Sequence, residues 1–103
     1  MKVFIIGTGN VATALGRAVQ KSGHQLTGVL GRDPAKASGL AKKLNCIFFT
    51  SAHKIPVSSD IYLIAIKDDA IADVIKDLPP VKGIVAHTSG ASPMNLLDKF
   101  ANR

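Results

Sequence analysis

One cysteine, no tryptophan and only 5% aromatic residues set the first limits on this chain. Cys46 stands alone, so no internal disulfide can form, and the chain is not a disulfide-stapled secreted fold; a reducing compartment suits it. Its surroundings from Leu44 to Phe49 are mostly apolar, which reads as a core thiol rather than a reactive one. No apolar run approaches the ~20 residues of a membrane span. The first such run, Val3 to Ile6, ends at Gly7 and lacks the layout of a secretory signal. A cytoplasmic protein with no membrane contact is the expectation. His24, His53 and His87 have no metal-like spacing, so no metal site is expected. Neither a phosphate-cradling G-x-x-x-x-G-K-[ST] loop nor a G-x-S-x-G nucleophile elbow occurs, and Ser89 sits instead in His87-Thr88-Ser89-Gly90-Ala91.

What is present is ordinary globular composition, 47% hydrophobic and 19% charged, in 103 residues, enough for one domain with a modest core. The net charge of +6 calls for an anionic partner or a solvated basic surface. Nucleic acid is the weaker choice. The basic residues are scattered (Lys2, Arg17, Lys21, Arg32, Lys36, Lys42, Lys43, Lys54, Lys67), and Phe4, Phe48, Phe49 and Tyr62 lie in strand-like runs where they cannot stack on bases. A polyanionic small molecule suits the charge equally well.

Two kinds of segment alternate along the chain. Val3–Ile6 reads as a buried parallel strand, and Val11, Ala14, Leu15, Ala18 and Val19 fall at helical spacing behind it. Gly23 supplies a left-handed stop. Gln25–Leu30 predicts a second strand, Asp33-Pro34 a helix cap followed by proline, and Ala37, Leu40, Ala41 and Leu44 the buried stripe of the next helix. Cys46–Phe49 predicts a third strand, Thr50–Ser59 a connection broken by Pro56, and Ile61–Ile66 a fourth strand. A helix capped by Asp68 or Asp69 follows, with Ile71, Val74, Ile75 and Leu78 inward, then a fifth strand over Gly83–His87. Ser92-Pro93 opens a last helix carrying Met94, Leu97 and Ala101. Strands joined by helical crossovers of this length run parallel with right-handed connections. The predicted fold is α/β, a doubly wound five-stranded parallel sheet in the order 3-2-1-4-5, flanked by helices.

Gly7-Thr8-Gly9-Asn10-Val11-Ala12 is a G-x-G-x-x-A sequence that leaves the first strand and opens the first helix. That context is what gives the pattern meaning. Gly7 permits the tight turn, Gly9 lets a pyrophosphate approach the backbone, and Ala12 lets the helix lie close to the sheet. The anion would then meet free N–H groups at the positive end of the helix dipole. A nicotinamide dinucleotide is the ligand this predicts. Domains that prefer NAD usually carry an acid at the end of the second strand. Here the sequence reads Val29-Leu30-Gly31-Arg32-Asp33, so Arg32 is placed to grip a 2′-phosphate, Lys36 adds charge one turn on, and Asp33 is better explained as a cap. NADP is expected over NAD.

Ligands in such sheets lie beyond the carboxyl ends of the strands. Ile66 and Lys67 after strand four, and His87, Thr88 and Ser89 at the end of strand five, should face the nicotinamide. His87 reads either as a general acid or as a strand-end histidine. Thr88 and Ser89 read either as groups holding a substrate oxygen or as turn hydroxyls, and Lys67 as a catalytic group or a surface charge. The candidate set is therefore Gly7, Thr8, Gly9, Asn10, Val11, Ala12, Gly31, Arg32, Ile66, Lys67 and Thr88 for the cofactor, and His87, Lys67 and Ser89 for catalysis.

Ile5-Ile6-Gly7-Thr8-Gly9-Asn10-Val11-Ala12, the run from Ile61 through Lys67-Asp68-Asp69 to Ile71, and Val85-Ala86-His87-Thr88-Ser89-Gly90 together resemble a bacterial group of Rossmann-like oxidoreductases. That group is similar to pyrroline-5-carboxylate reductase and, more distantly, to the β-hydroxyacid and 6-phosphogluconate dehydrogenases. The resemblance covers essentially the whole chain. It implies an NADP-dependent reductase or dehydrogenase with the cofactor across Gly7–Ala12 and Arg32. It also implies a further, all-helical C-terminal domain that builds much of the substrate site and a homodimer interface. Residues 1–103 are then expected to be the cofactor domain of a two-domain protein, inactive in isolation. Three functions remain open at this point: hydride transfer to a small carbonyl or imine, a non-catalytic dinucleotide sensor, and a coenzyme A or other nucleotide module on the same scaffold.

Overall fold

The computed structural model describes residues 1–66, 76, 79, 81 and 83–87. Strand β1 (Lys2–Ile6) leads into helix α1 (Asn10–Lys21), β2 (Gln25–Leu30), α2 (Pro34–Leu44) and β3 (Phe48–Phe49). A single 3-10 turn, Ala52–Lys54, precedes β4 (Ile61–Ile64), and β5 (Ile84–His87) completes a five-stranded sheet in the order β3-β2-β1-β4-β5. Every pairing is parallel. The direction in which strands are added reverses at β1, where β4 pairs on the side away from β2. The expected inner helix faces at Ile71, Val74, Ile75 and Leu78 and at Met94, Leu97 and Ala101 lie outside the described residues.

Alternation along the strands divides the core in two. Val3, Ile5, Val29, Ile61 and Leu63 face α1 and α2, while Phe4, Ile6, Leu30, Tyr62 and Ile64 line the other face. Ile55 and Ala52 pack on that second face, so the segment after β3 is pinned to the sheet. The Tyr62 hydroxyl donates to the Pro56 carbonyl and accepts from the Ser59 N–H at 3.2 Å, so the largest buried side chain leaves no polar atom stranded.

Local signals account for most boundaries. Asp33 caps α2, accepting from the Ala35 N–H at 2.9 Å and the Lys36 N–H at 3.4 Å, with Pro34 at the first helical position. The expected α2 stripe, Ala37, Leu40, Ala41 and Leu44, is buried. Gly23 is left-handed at φ +80°, as expected of a helix stop. Helix α1 is rotated from the expected face. Val11 and Ala14 are exposed, and Ala12, Leu15, Gly16, Ala18 and Val19 are buried. The reason is proximity: a β-carbon at Gly16 would stand 2.4 Å from Leu44 Cδ1, so α1 turns its smallest residues towards α2 and the sheet.

The third strand is shorter than the Cys46–Phe49 expected. Asn45 ends α2 in the left-handed region at φ 53°, the Cys46 N–H still bonds the Ala41 carbonyl at 3.0 Å, and the chain joins the sheet only where the Ile47 carbonyl accepts from Val29. Strand β4 likewise ends at Ile64 rather than Ile66, after which the Ala65 N–H makes a last bond to the Ile6 carbonyl at 2.7 Å. Cys46 is half-buried, and that burial pushes its thiol up from the ordinary cysteine value, in keeping with an inert role.

Candidate functional site

The carboxyl end of β1 is shaped by what glycine alone can do. Gly7 holds φ +133°, and a β-carbon there would lie 2.4 Å from the Ala65 carbonyl oxygen. Its N–H bonds the Leu30 carbonyl at 2.7 Å, so the turn is wedged between the ends of β2 and β4. Gly9 is the N-cap of α1 in ordinary extended geometry, with no side-chain cap and no acid in the first turn. The positive end of α1 is thus offered no anion by its own first turn. A β-carbon at Gly9 would meet nothing within 4 Å. The protein packs against Gly7 and leaves Gly9 open.

Gly31, just past β2, interlocks with this loop. A β-carbon there would stand 2.3 Å from Thr8 Cγ2 and 3.4 Å from Ala37 Cβ, so the Thr8 side chain occupies the place a side chain at 31 would take. The Gly31 N–H bonds the Phe49 carbonyl at 3.0 Å, which ties the ends of β2 and β3.

A cavity of 490 Å³ opens where these ends meet, lined from β1 by Ile6, Gly7 and Thr8 and from β2 by Leu30, Gly31, Arg32, Asp33 and Lys36; Thr50–His53 line it from β3 and Ile66 from β4. That volume falls within the ~300–1,000 Å³ of small-molecule sites. Of the cofactor residues expected from sequence, Gly7, Thr8, Gly31, Arg32 and Ile66 line it. Gly9, Asn10 and Val11 are exposed at the entry to α1, and Ala12 is buried beneath it, in contact with the sheet's core rather than with the cavity. Lys67, Thr88 and Ser89 lie outside the described residues, while His87 closes β5 opposite Ile64, the last residue of β4. Among the described residues no group of three or more His, Cys, Asp or Glu could hold a metal, and no helix is long and apolar enough to cross a membrane.

The lining is cationic in a definite way. Among the described lining residues Arg32 and Lys36 bring positive charge beside the β2 end, and Asp33 is the one carboxylate, with its Oδ1 accepting from two backbone donors of α2. The end of β2 reads Leu30-Gly31-Arg32, without the acid that NAD-preferring domains usually carry there, and Asp33 one place further caps α2. A glycine loop open at Gly9 and an uncapped helix start fit a dinucleotide's pyrophosphate. The guanidinium and ammonium of Arg32 and Lys36 fit a 2′-phosphate.

The family model described as "NADP oxidoreductase coenzyme F420-dependent" matches residues 2–89. The chain belongs to this family of NADP oxidoreductases. It is therefore an NADP-binding oxidoreductase domain of Rossmann type. A Bacteroides fragilis structure assigned as an NADP oxidoreductase is 27% identical, with a TM-score of 0.79 over 94% of this chain and 39% of that one. The 1-pyrroline-5-carboxylate reductase of Streptococcus pyogenes shares the fold at 24% identity and a TM-score of 0.72, covering 85% of this chain and 33% of that one. In sequence, the 2-dehydropantoate 2-reductase of Aquifex aeolicus (strain VF5) is 27% identical over 88 residues, 81% of this chain and 28% of that protein. The chain thus spans well under half the length of these relatives.

Of the residues lining the cavity, Thr50–His53 are not among the candidates expected from sequence. The segment was assigned only as a connection, although the strand-end rule applied to β4 and β5 applies equally to β3.

Proposed function

We propose that this domain is the cofactor half of a hydride-transfer enzyme that uses NADPH to reduce a small carbonyl or imine compound. The cavity at the ends of β1, β2 and β3 carries the reading, because it joins an open glycine loop to Arg32 and Lys36, and the one carboxylate among its described lining residues, Asp33, caps α2. Bound NADPH supplies the hydride. The chain's own part is to bind and orient it: Gly7 to Val11 carry the pyrophosphate with Ala12 buried behind them, Gly31 and Arg32 hold the 2′-phosphoadenosine, and Ile66, Lys67 and Thr88 the nicotinamide side. We assign His87 as the proton donor and Lys67 and Ser89 as groups that hold the substrate oxygen or nitrogen. The Aquifex relative, named as a reductase of 2-dehydropantoate, supports a carbonyl substrate. The family description also names coenzyme F420, so that coenzyme belongs among the hydride partners tried. A helical second domain that completes the substrate site and a homodimer, and a cytoplasmic location, belong to the same proposal.

The deciding experiment is calorimetry with NADPH, NADH and coenzyme A. NADPH binds about 10- to 100-fold more tightly than NADH, the worth of a charge-assisted bidentate contact, and coenzyme A binds weakly. Arg32→Ala brings the two nicotinamide affinities together. Equal affinities in the unmutated protein would refute the assignment of Arg32, and tight coenzyme A binding would refute the ligand class.

A further inference from the structure

Arg32 and Lys36 hold one side of the cavity; the β3 side is built by the segment Thr50–Ser51–Ala52–His53. Nothing in that segment is left to chance by the packing. The Gly31 N–H bonds the Phe49 carbonyl, the 3-10 turn Ala52–Lys54 follows at once, and Ile55 is buried on the sheet face with Phe4, Ile6 and Tyr62. The chain between Phe49 and Ile55 is anchored at both ends and turns over within it. Thr50, Ser51 and His53, two hydroxyl residues and one imidazole residue, line the cavity from this segment.

Resting on the NADP reading above, we propose that His53, with the hydroxyls of Thr50 and Ser51, is a second phosphate-reading wall that helps set the preference for a 2′-phosphorylated adenosine. The charge balance of the lining favours an anion over a neutral base here. Among the described residues the other ionisable groups lining the cavity with His53 are Arg32, Lys36 and Asp33, and the Asp33 carboxylate accepts from two α2 N–H groups. A phosphate monoester offers three acceptor oxygens pointing in different directions, so donors from more than one side of a cavity can reach it. Thr50, Ser51 and His53 bring hydroxyl and ring N–H donors from a different strand end, so together the two walls hold the phosphate from two directions. Neither the glycine motif nor the β2 end encodes this contribution.

The test uses fragments that isolate the adenosine end: adenosine 2′,5′-bisphosphate against 5′-AMP, each titrated into the protein and into His53→Ala and His53→Arg. His53 is exposed, so both variants fold, which a melting curve checks. His53→Ala lowers the affinity for the bisphosphate about five- to tenfold, as expected for one lost hydrogen bond to a charged group at an open site, and leaves 5′-AMP unchanged within about twofold. His53→Arg restores the bisphosphate preference. A His53→Ala protein that loses affinity for both fragments alike, or for neither, would overturn the inference while leaving the NADP reading in place. An unmutated protein that binds the two fragments equally would overturn both.

Discussion

Consider valine at Gly9, the residue through which the loop enters α1. The backbone there has φ −82°, open to any amino acid, and a β-carbon would meet no protein atom within 4 Å. Stability should change little: exchanging glycine for a β-branched residue at a helix N-cap costs about 1 kcal/mol, a fall in melting temperature of roughly 4–8 °C for a domain of this size. Binding should respond far more. The valine methyls fill the space through which a pyrophosphate reaches the first N–H groups of α1. Two lost charge-assisted hydrogen bonds at ~1.5–3 kcal/mol each amount to about a 100- to 10,000-fold loss of NADPH affinity. Gly7→Ala gives the opposite pattern. Its β-carbon starts 2.4 Å from the Ala65 carbonyl oxygen at φ +133°, and the backbone strain alone costs about 1–3 kcal/mol. Thermal melts and calorimetry on the two variants measure both effects. A folded Gly9→Val protein that binds NADPH as tightly as its parent would show that the cofactor does not cross this loop.

Two further outcomes follow from the same geometry. Asp33→Ala removes the cap of α2 and lowers stability by about 1 kcal/mol without lowering the NADPH preference; loss of NADH binding at unchanged stability would show instead that Asp33 serves the ribose. Burial pushes the Cys46 thiol upward, so its thiolate fraction at neutral pH is depressed; iodoacetamide modifies the folded protein more slowly than the unfolded chain, and the rate climbs only at a higher pH. Faster modification of the folded state would contradict the burial argument.

Features set by neighbours in sequence were legible before the structure. The Asp33-Pro34 cap, the α2 stripe and the left-handed Gly23 depend on residues within a turn of one another, and the parallel strand order follows from crossover length and handedness. The face of α1 was legible only in part: Leu15, Ala18 and Val19 are buried as their spacing predicts, while Val11 and Ala14 are exposed. Helical spacing ranks residues by hydrophobicity and selects Val11 and Ala14, whereas close approach to Leu44 and the sheet selects Ala12 and Gly16. That choice belongs to the partner surface, which a single helix does not contain. The cofactor loop was legible because glycine, strand and helix stand in a fixed local order. The end of the third strand at Phe49 was legible, but Thr50–His53 beyond it carry no motif, and a connection broken by Pro56 gave no sign that they line a cavity.

The contact between Thr8 and position 31 ties the choice of coenzyme to the shape of the glycine loop. An acid at the end of the second strand is what would favour NAD in a domain of this kind. Here that substitution begins with a β-carbon 2.3 Å from the Thr8 methyl, and β-branching leaves Thr8 few rotamers into which to retreat. Redesign at Gly31 alone therefore disturbs the pyrophosphate loop before it touches the ribose. A change of coenzyme at this position has to pass through Thr8→Gly or a similarly small residue first, so the two sites form one coupled unit of specificity on neighbouring strands.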